Sequence, residues 1–294
     1  MKPLRPLGPV VVSLLWLATG LALPASAADE PVPPPKAPKP ARDAGTGAAS
    51  TPPPAAPKVE RLVDFVRPFA ATFGASNADV PKLVSGPKAV AMPNDKSPGR
   101  QWVASLGTVT FKVTIADATK LAPADVFAHV RRLPVPYRRM LEIVSEDGKA
   151  GLAVYPELGG AAAHGSQDYL NVIPQANVFV LVHECGHVLE QRTTRGAPKT
   201  LEAWGEAVAK DQVSVSEYGD SVVHEDLAEF ALVYAICLDA GPARLDELRR
   251  RSPTRFAQWE HILEASGAVE RPKDAATPAP KAPNAPNAPK STPR

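Results

Sequence analysis

The chain has 294 residues, a formal net charge of +2 from 33 basic and 31 acidic side chains, and 34 prolines. A balance this even leaves no electrostatic footprint for nucleic acid, so no nucleic-acid partner is expected. The prolines gather at the two ends, which excludes the whole chain from being one core.

Lys2 and Arg5 supply a positive start, and residues 10–23 form an apolar run broken only by Ser13, Thr19 and Gly20. Ala25-Ser26-Ala27 then offers small residues at a cleavage site, so residues 1–27 read as a signal peptide cut after Ala27. The run is short of the roughly 20 residues a membrane span needs, and Pro24 ends it. No stable membrane insertion is expected after cleavage, and the expected destination is the cell envelope or the exterior. Residues 28–58 and 271–294 are rich in proline and lack the spaced apolar side chains that bury a face. Both read as solvated, extended, disordered segments. What lies between, residues 59–270, has the size of one ordinary domain.

Within that domain, residues 61–73 carry apolar side chains at helical spacing, with Pro68 as a kink. Residues 74–100 are rich in Gly, Pro, Asn and Ser and read as loop. Val109, Phe111, Val113 and Ile115 alternate as a strand does. A short helix is expected over 124–133, stopped by Pro134, then a second strand over 140–144 and a turn at Glu146-Asp147-Gly148. A third strand over 152–155, a glycine-rich loop over 159–165 and a fourth strand over 168–173 follow. Thereafter the period becomes helical, over 178–191, 200–210, 222–238, 243–251 and 254–265. A strand-rich half followed by a helical half predicts an α+β fold with a small sheet. Cys185 and Cys237 both fall in apolar helices, where free cysteine behaves as a small apolar residue.

The chemistry concentrates in the helical half. His183-Glu184-Cys185-Gly186-His187 is an HExxH motif. On a helix its two histidines share one face and can reach one Zn²⁺ at about 2.0–2.1 Å. Glu184, beside the first, can take a proton from the activated water. The five residues before His183 are all apolar, and burying such polar groups is costly unless something satisfies them. A catalytic zinc needs a third protein ligand and an open position. The metzincin pattern places Gly and His where this chain has Glu190 and Thr193, which excludes that subclass. The remaining candidates lie in the helix over 222–238. Glu225 and Glu229 share a face, so one can bind the metal while the other holds a histidine through its second ring nitrogen. His224 is the rival ligand, although as Glu225's neighbour it points about 100° away.

The stretch around Tyr218 and Glu225 resembles the catalytic domain of anthrax lethal factor and its smaller relatives, the secreted Pro-Pro endopeptidases. In that family a Ser-x-Tyr segment precedes a Glu-x-x-Ala-Glu motif, and Tyr218 and Glu225-Asp226-Leu227-Ala228-Glu229 stand at the family's spacing. Ser252-Pro253-Thr254-Arg255-Phe256 is similar to the segment that opens the family's last helix. The resemblance covers roughly residues 125–265 and is specific around 183–187 and 218–230. It implies a zincin-like fold, Glu225 as third ligand, Glu229 as the group supporting a ligand histidine, and Tyr218 as a hydroxyl donor to the substrate carbonyl. Where the family usually has aromatic residues after the ligand glutamate, this chain has Asp226 and Leu227.

The expected activity is therefore that of an exported zinc metalloendopeptidase acting on a protein or peptide substrate. Glu184 acts as general base and Tyr218 stabilises the oxyanion. The substrate pairs with the strand over 168–173, taken as the sheet edge nearest the metal. The competing expectations are a zincin-fold binding module without turnover and a cell-envelope scaffold defined by its proline-rich ends. Intact Glu184 and Tyr218 speak for the enzyme. His164, in the glycine-rich loop, and His129 and His261, on helices, read as surface residues.

Overall fold

The computed structural model describes residues 61–197 and 199–269. The expected signal peptide, proline-rich linker and proline-rich tail fall outside the described residues. Among the described residues no helix is long and apolar enough to cross a membrane.

The fold is mixed α+β, with a six-stranded sheet in the order β1-β2-β3-β4-β6-β5 and eight α-helices among the described residues. The strands are β1 (Lys82–Ala91), β2 (Pro98–Leu106), β3 (Val109–Ala116), β4 (Leu152–Val154), β5 (Ala163–Ser166) and β6 (Tyr169–Val172). The helices are α1 (Leu62–Ala70), α2 (Pro123–Val130), α3 (Arg139–Ile143), α4 (Val178–Thr194), α5 (Thr200–Asp211), α6 (Val223–Ala240), α7 (Pro242–Arg251) and α8 (Pro253–Ala265).

β1, β2 and β3 form an antiparallel meander, β3, β4 and β6 run parallel, and β5 returns antiparallel to β6. Three expectations change here. Residues 74–100 are not all loop: β1 and the start of β2 lie in them. β1 is exposed along nearly its whole length and its pairing with β2 is irregular at two places. It therefore has no apolar alternation to betray it.

Residues 140–144 form helix rather than strand. They follow a 3₁₀ turn over Val135–Arg138. Met140, Leu141, Ile143 and Val144 are all buried while Glu142 is half-buried, and so short an apolar run has no clear period to distinguish the two states. The Tyr137 hydroxyl in that turn donates to the Ala231 carbonyl of α6 at 2.6 Å, so tertiary contact sets the local conformation.

The third change bears on function. The strand over 168–173 is β6, which is interior, and the sheet edge on this side is β5.

One core holds the halves together. Phe111, Val113 and Ile115 of β3, Leu152 and Val154 of β4, and Leu170 and Val172 of β6 bury against the apolar faces of α2, α3 and α4. α6 is buried at every position from Glu225 to Cys237, so it runs through the interior, as its nearly unbroken apolar composition requires. α4 and α6 approach closely because of Gly186. A Cβ added there would meet the Ala228 Cα at 2.8 Å and the Ala231 Cβ at 3.2 Å. Cys185 and Cys237 are buried and unpaired, and the Cys185 thiol donates toward the Tyr137 carbonyl at 3.6 Å.

Candidate metal centre

α4 begins at Asn177, whose side-chain oxygen accepts from the backbone N–H of Phe179 (2.9 Å) and Val180 (3.2 Å). This cap satisfies two of the orphan donors at the helix start and sets the phase of the motif that follows. His183 and His187 then stand one turn apart with ring centroids 5.1 Å apart. From α6, Glu225 enters between them. Its Oε2 lies 3.2 Å from Nε2 of His183 and 3.6 Å from Nε2 of His187. The ligand atoms of these three residues all lie within 4.8 Å of one another, and together they can hold a metal ion.

The donor chemistry fits a cation. Nδ1 of His183 donates to Oε1 of Glu229 at 3.0 Å, both side chains being buried. A carboxylate only accepts, so this bond places the ring proton on Nδ1 and turns the Nε2 lone pair toward Glu225. Oε2 of Glu225 is buried and has no aligned hydrogen-bond donor despite its nearness to both histidines. Two nitrogen lone pairs and an orphaned carboxylate oxygen thus converge on one point, an arrangement that is costly unless a positive charge occupies it.

A proton is one such charge. Burial would lower the His183 imidazolium, but the carboxylates of Glu225 and Glu229 outweigh it and push its pKa up to about 10. Burial would likewise raise Glu225, yet His183, His187 and His224 hold its carboxyl far below the usual carboxylate range. A divalent cation competes with that proton for the same place.

Glu184 sits on the strand side of α4, buried, against β5. A Cβ added at Gly165 would fall 2.6 Å from Oε2 of Glu184 and 2.9 Å from its backbone oxygen. Only glycine lets the edge strand lie this close to the carboxylate. Among the described residues the Glu184 side chain makes no hydrogen bond or ion pair, although it is buried.

The Tyr218 ring centroid lies 6.0 Å from that of His183. Burial pushes its phenol above the ordinary value, and the charge of Glu225 adds to this. The hydroxyl therefore keeps its proton and can donate it. The loop that carries it is pinned twice. Backbone N–H groups of Leu62 and Val63, at the start of α1, donate to the carbonyls of Ser214 and Val215, each at 3.0 Å. The Gly219 N–H donates to the Ser216 hydroxyl at 2.8 Å.

Sequence reasoning named His183, Glu184, His187, Tyr218, Glu225 and Glu229, but it missed what seats Glu225. Its neighbour Asp226 is buried and takes a two-pronged ion pair from Arg255 of α8, with Nε to Oδ1 at 2.9 Å and Nη2 to Oδ2 at 2.8 Å. The Trp204 indole N–H of α5 adds a third bond to Oδ1 at 2.9 Å. Arg255 is in turn held at the start of α8, where Asp211 accepts from the backbone N–H of Thr254 (2.9 Å) and Arg255 (2.8 Å). Three helices therefore meet beside the ligand, through an aspartate at a position where an aromatic residue was expected from resemblance. The signal was present: a lone aspartate in an apolar helix demands a buried partner. The partner's identity was hidden by its distance along the chain.

His224 is exposed, yet its ring turns back toward the site. His164 is exposed on β5, opposite Asn171 of β6. Comparison of the chain with protein-family models, with curated proteins and with solved structures finds no match.

Proposed function

We propose that this chain is an exported zinc-dependent endopeptidase of the zincin type, akin to the lethal factor and Pro-Pro endopeptidase family. The observation that carries the reading is the convergence of Nε2 of His183, Nε2 of His187 and the orphaned Oε2 of Glu225 on one point. Two imidazoles and one carboxylate are the donors that catalytic zinc sites use, with a fourth position left open. Zinc held there would supply Lewis acidity and a water acidic enough to lose its proton near neutral pH.

The chain's own residues account for the rest of the reaction. Glu184 accepts the proton of the attacking water and passes it to the leaving amine. Tyr218, which stays protonated, donates a hydrogen bond to the carbonyl oxygen as negative charge develops on it. Glu229 orients His183 through Nδ1. An extended peptide adds to the free edge of β5 by main-chain hydrogen bonds, which lays its backbone beside Glu184. Export rests on the basic start, the apolar run and the small-residue cleavage site of residues 1–27.

Metal analysis and peptide cleavage test the proposal together. The purified protein should carry about one zinc per chain, and His187→Ala and Glu225→Ala should each lose it. Full zinc occupancy in Glu225→Ala would overturn the ligand set. A peptide library should be cut by the native protein and spared once a chelator is added. Zinc retention with no cleavage of any peptide would instead favour a binding module.

A further inference from the structure

We propose that His224 is a positioning residue of this centre. It holds Oε1 of Glu225, so that the carboxylate meets the ion through Oε2 alone. The inference rests on the metal reading above and extends it to a residue that reading leaves unused.

The two oxygens of Glu225 have different surroundings. Oε2 faces the ligand nitrogens of His183 and His187 at 3.2 and 3.6 Å. Oε1 lies 3.1 Å from Nε2 of His224. Adjacent residues on a helix diverge by about 100°, so a histidine with no role beside Glu225 would extend into solvent. Val222 and Val223, which precede it, are exposed in that way. The His224 ring instead folds back to lie 5.3 Å from the ring of His187. With its side chain 48% exposed it gains little from burial by doing so.

The consequence for the site is one of counting. A carboxylate that clamps an ion with both oxygens occupies two positions, whereas a catalytic site keeps one position free of protein. With Nε2 of His224 3.1 Å away, a proton on that nitrogen would compete with the ion for Oε1 and keep Glu225 one-pronged. Partners of this kind commonly fix ligating carboxylates, and their loss typically lowers metal affinity or activity by about 10–100-fold. His224 then stands beside His187 and Tyr218 beside His183.

Cobalt(II) provides the readout, because its visible absorption is strong at low coordination number and weak at high. The full chain is stripped of metal and loaded with cobalt alone, as wild type, His224→Ala and His224→Gln. His224→Ala should still bind cobalt but with weakened visible bands, as Oε1 joins the ion. Its zinc form should lose about 10–100-fold in kcat with KM nearly unchanged. His224→Gln, whose amide can donate to the same oxygen, should recover most of both signals. Wild-type bands in His224→Ala would overturn the inference. Complete loss of cobalt from that variant would also overturn it, by making His224 a ligand. No cobalt binding by the wild type would sink the metal reading itself. Expected spectra without peptide cleavage would sink only the proposed activity.

Discussion

β1 closes one edge of the sheet with ten residues that are exposed nearly throughout. β5 closes the other with four residues set against the helix that carries His183 and His187. Both edges present unpaired backbone groups, and an unprotected edge invites pairing with another chain. On β1 that hazard is blunted: Lys82 and Lys88 place charge along it, Pro87 removes a donor, and the register with β2 breaks twice. β5, with the sequence Ala-His-Gly-Ser, has neither lysine nor proline. Its protection is its shortness and its position in the cleft. The edge left open to pairing is thus the one beside Glu184, and the edge remote from it is guarded.

The contrast can be broken at the β5 side first. Glu184→Gln removes the proton acceptor and nothing else, so turnover should fall about 10²–10⁴-fold while zinc content stays at the wild-type level. Near-normal cleavage by that variant would remove β5's neighbour from the reaction. Tyr218→Phe keeps the ring and loses only the donor. It should cost about 10²–10³-fold in kcat, with a smaller change in KM; an unchanged kcat would leave Tyr218 a packing residue.

Gly165→Ala tests the strand itself. Its Cβ would fall 2.6 Å from Oε2 of Glu184, so strand or carboxylate must shift. A displacement near 1 Å at such a position lowers turnover about 10²-fold, with bound zinc unaffected. Wild-type kinetics in this variant would show that the close approach has no bearing on catalysis. The smallest effect is expected at the far edge. Lys82→Val with Lys88→Val should leave turnover unchanged and stability within about 0.5 kcal/mol. Light scattering should nevertheless report increased self-association, as the guarded edge becomes open. A fall in turnover would mean that the two edges are not independent.

What the sequence disclosed and what it hid divide along physical lines. The group that could hold a metal ion was legible in part: helical spacing places His183 and His187 on one face, whereas Glu225 was singled out from Glu229 and His224 only with the help of the resemblance. α4, α5, α6, α7 and α8 were legible because each has an apolar face or an apolar interior at a period near 3.6. β1 was not, since a strand exposed on both faces has no alternation to read. α3 was not, since five residues, three of them buried, are too short a run to separate helix from strand. The sheet edge is one strand further out than expected because strand order depends on which chain segment returns antiparallel, and residues 159–165 look like a glycine-rich loop until the fold pairs Ala163–Ser166 with β6. The bond between Asp226 and Arg255 joins residues from two helices separated by a third, and no local pattern announces it.

That bond also constrains the order in which the molecule can mature. Both histidines and Glu225 leave the ribosome before Arg255 does. Until α8 exists, Asp226 has a place in a buried helix and no cation to meet it, a deficit of about 3–5 kcal/mol when one partner of such a pair is missing. An unfinished chain holds His183, His187 and Glu225, yet the helix that brings Glu225 to the two histidines lacks the ion pair that seats it. The geometry that could hold a metal ion is therefore completed near the end of synthesis, and a chain truncated ahead of α8 would lack one of its supports.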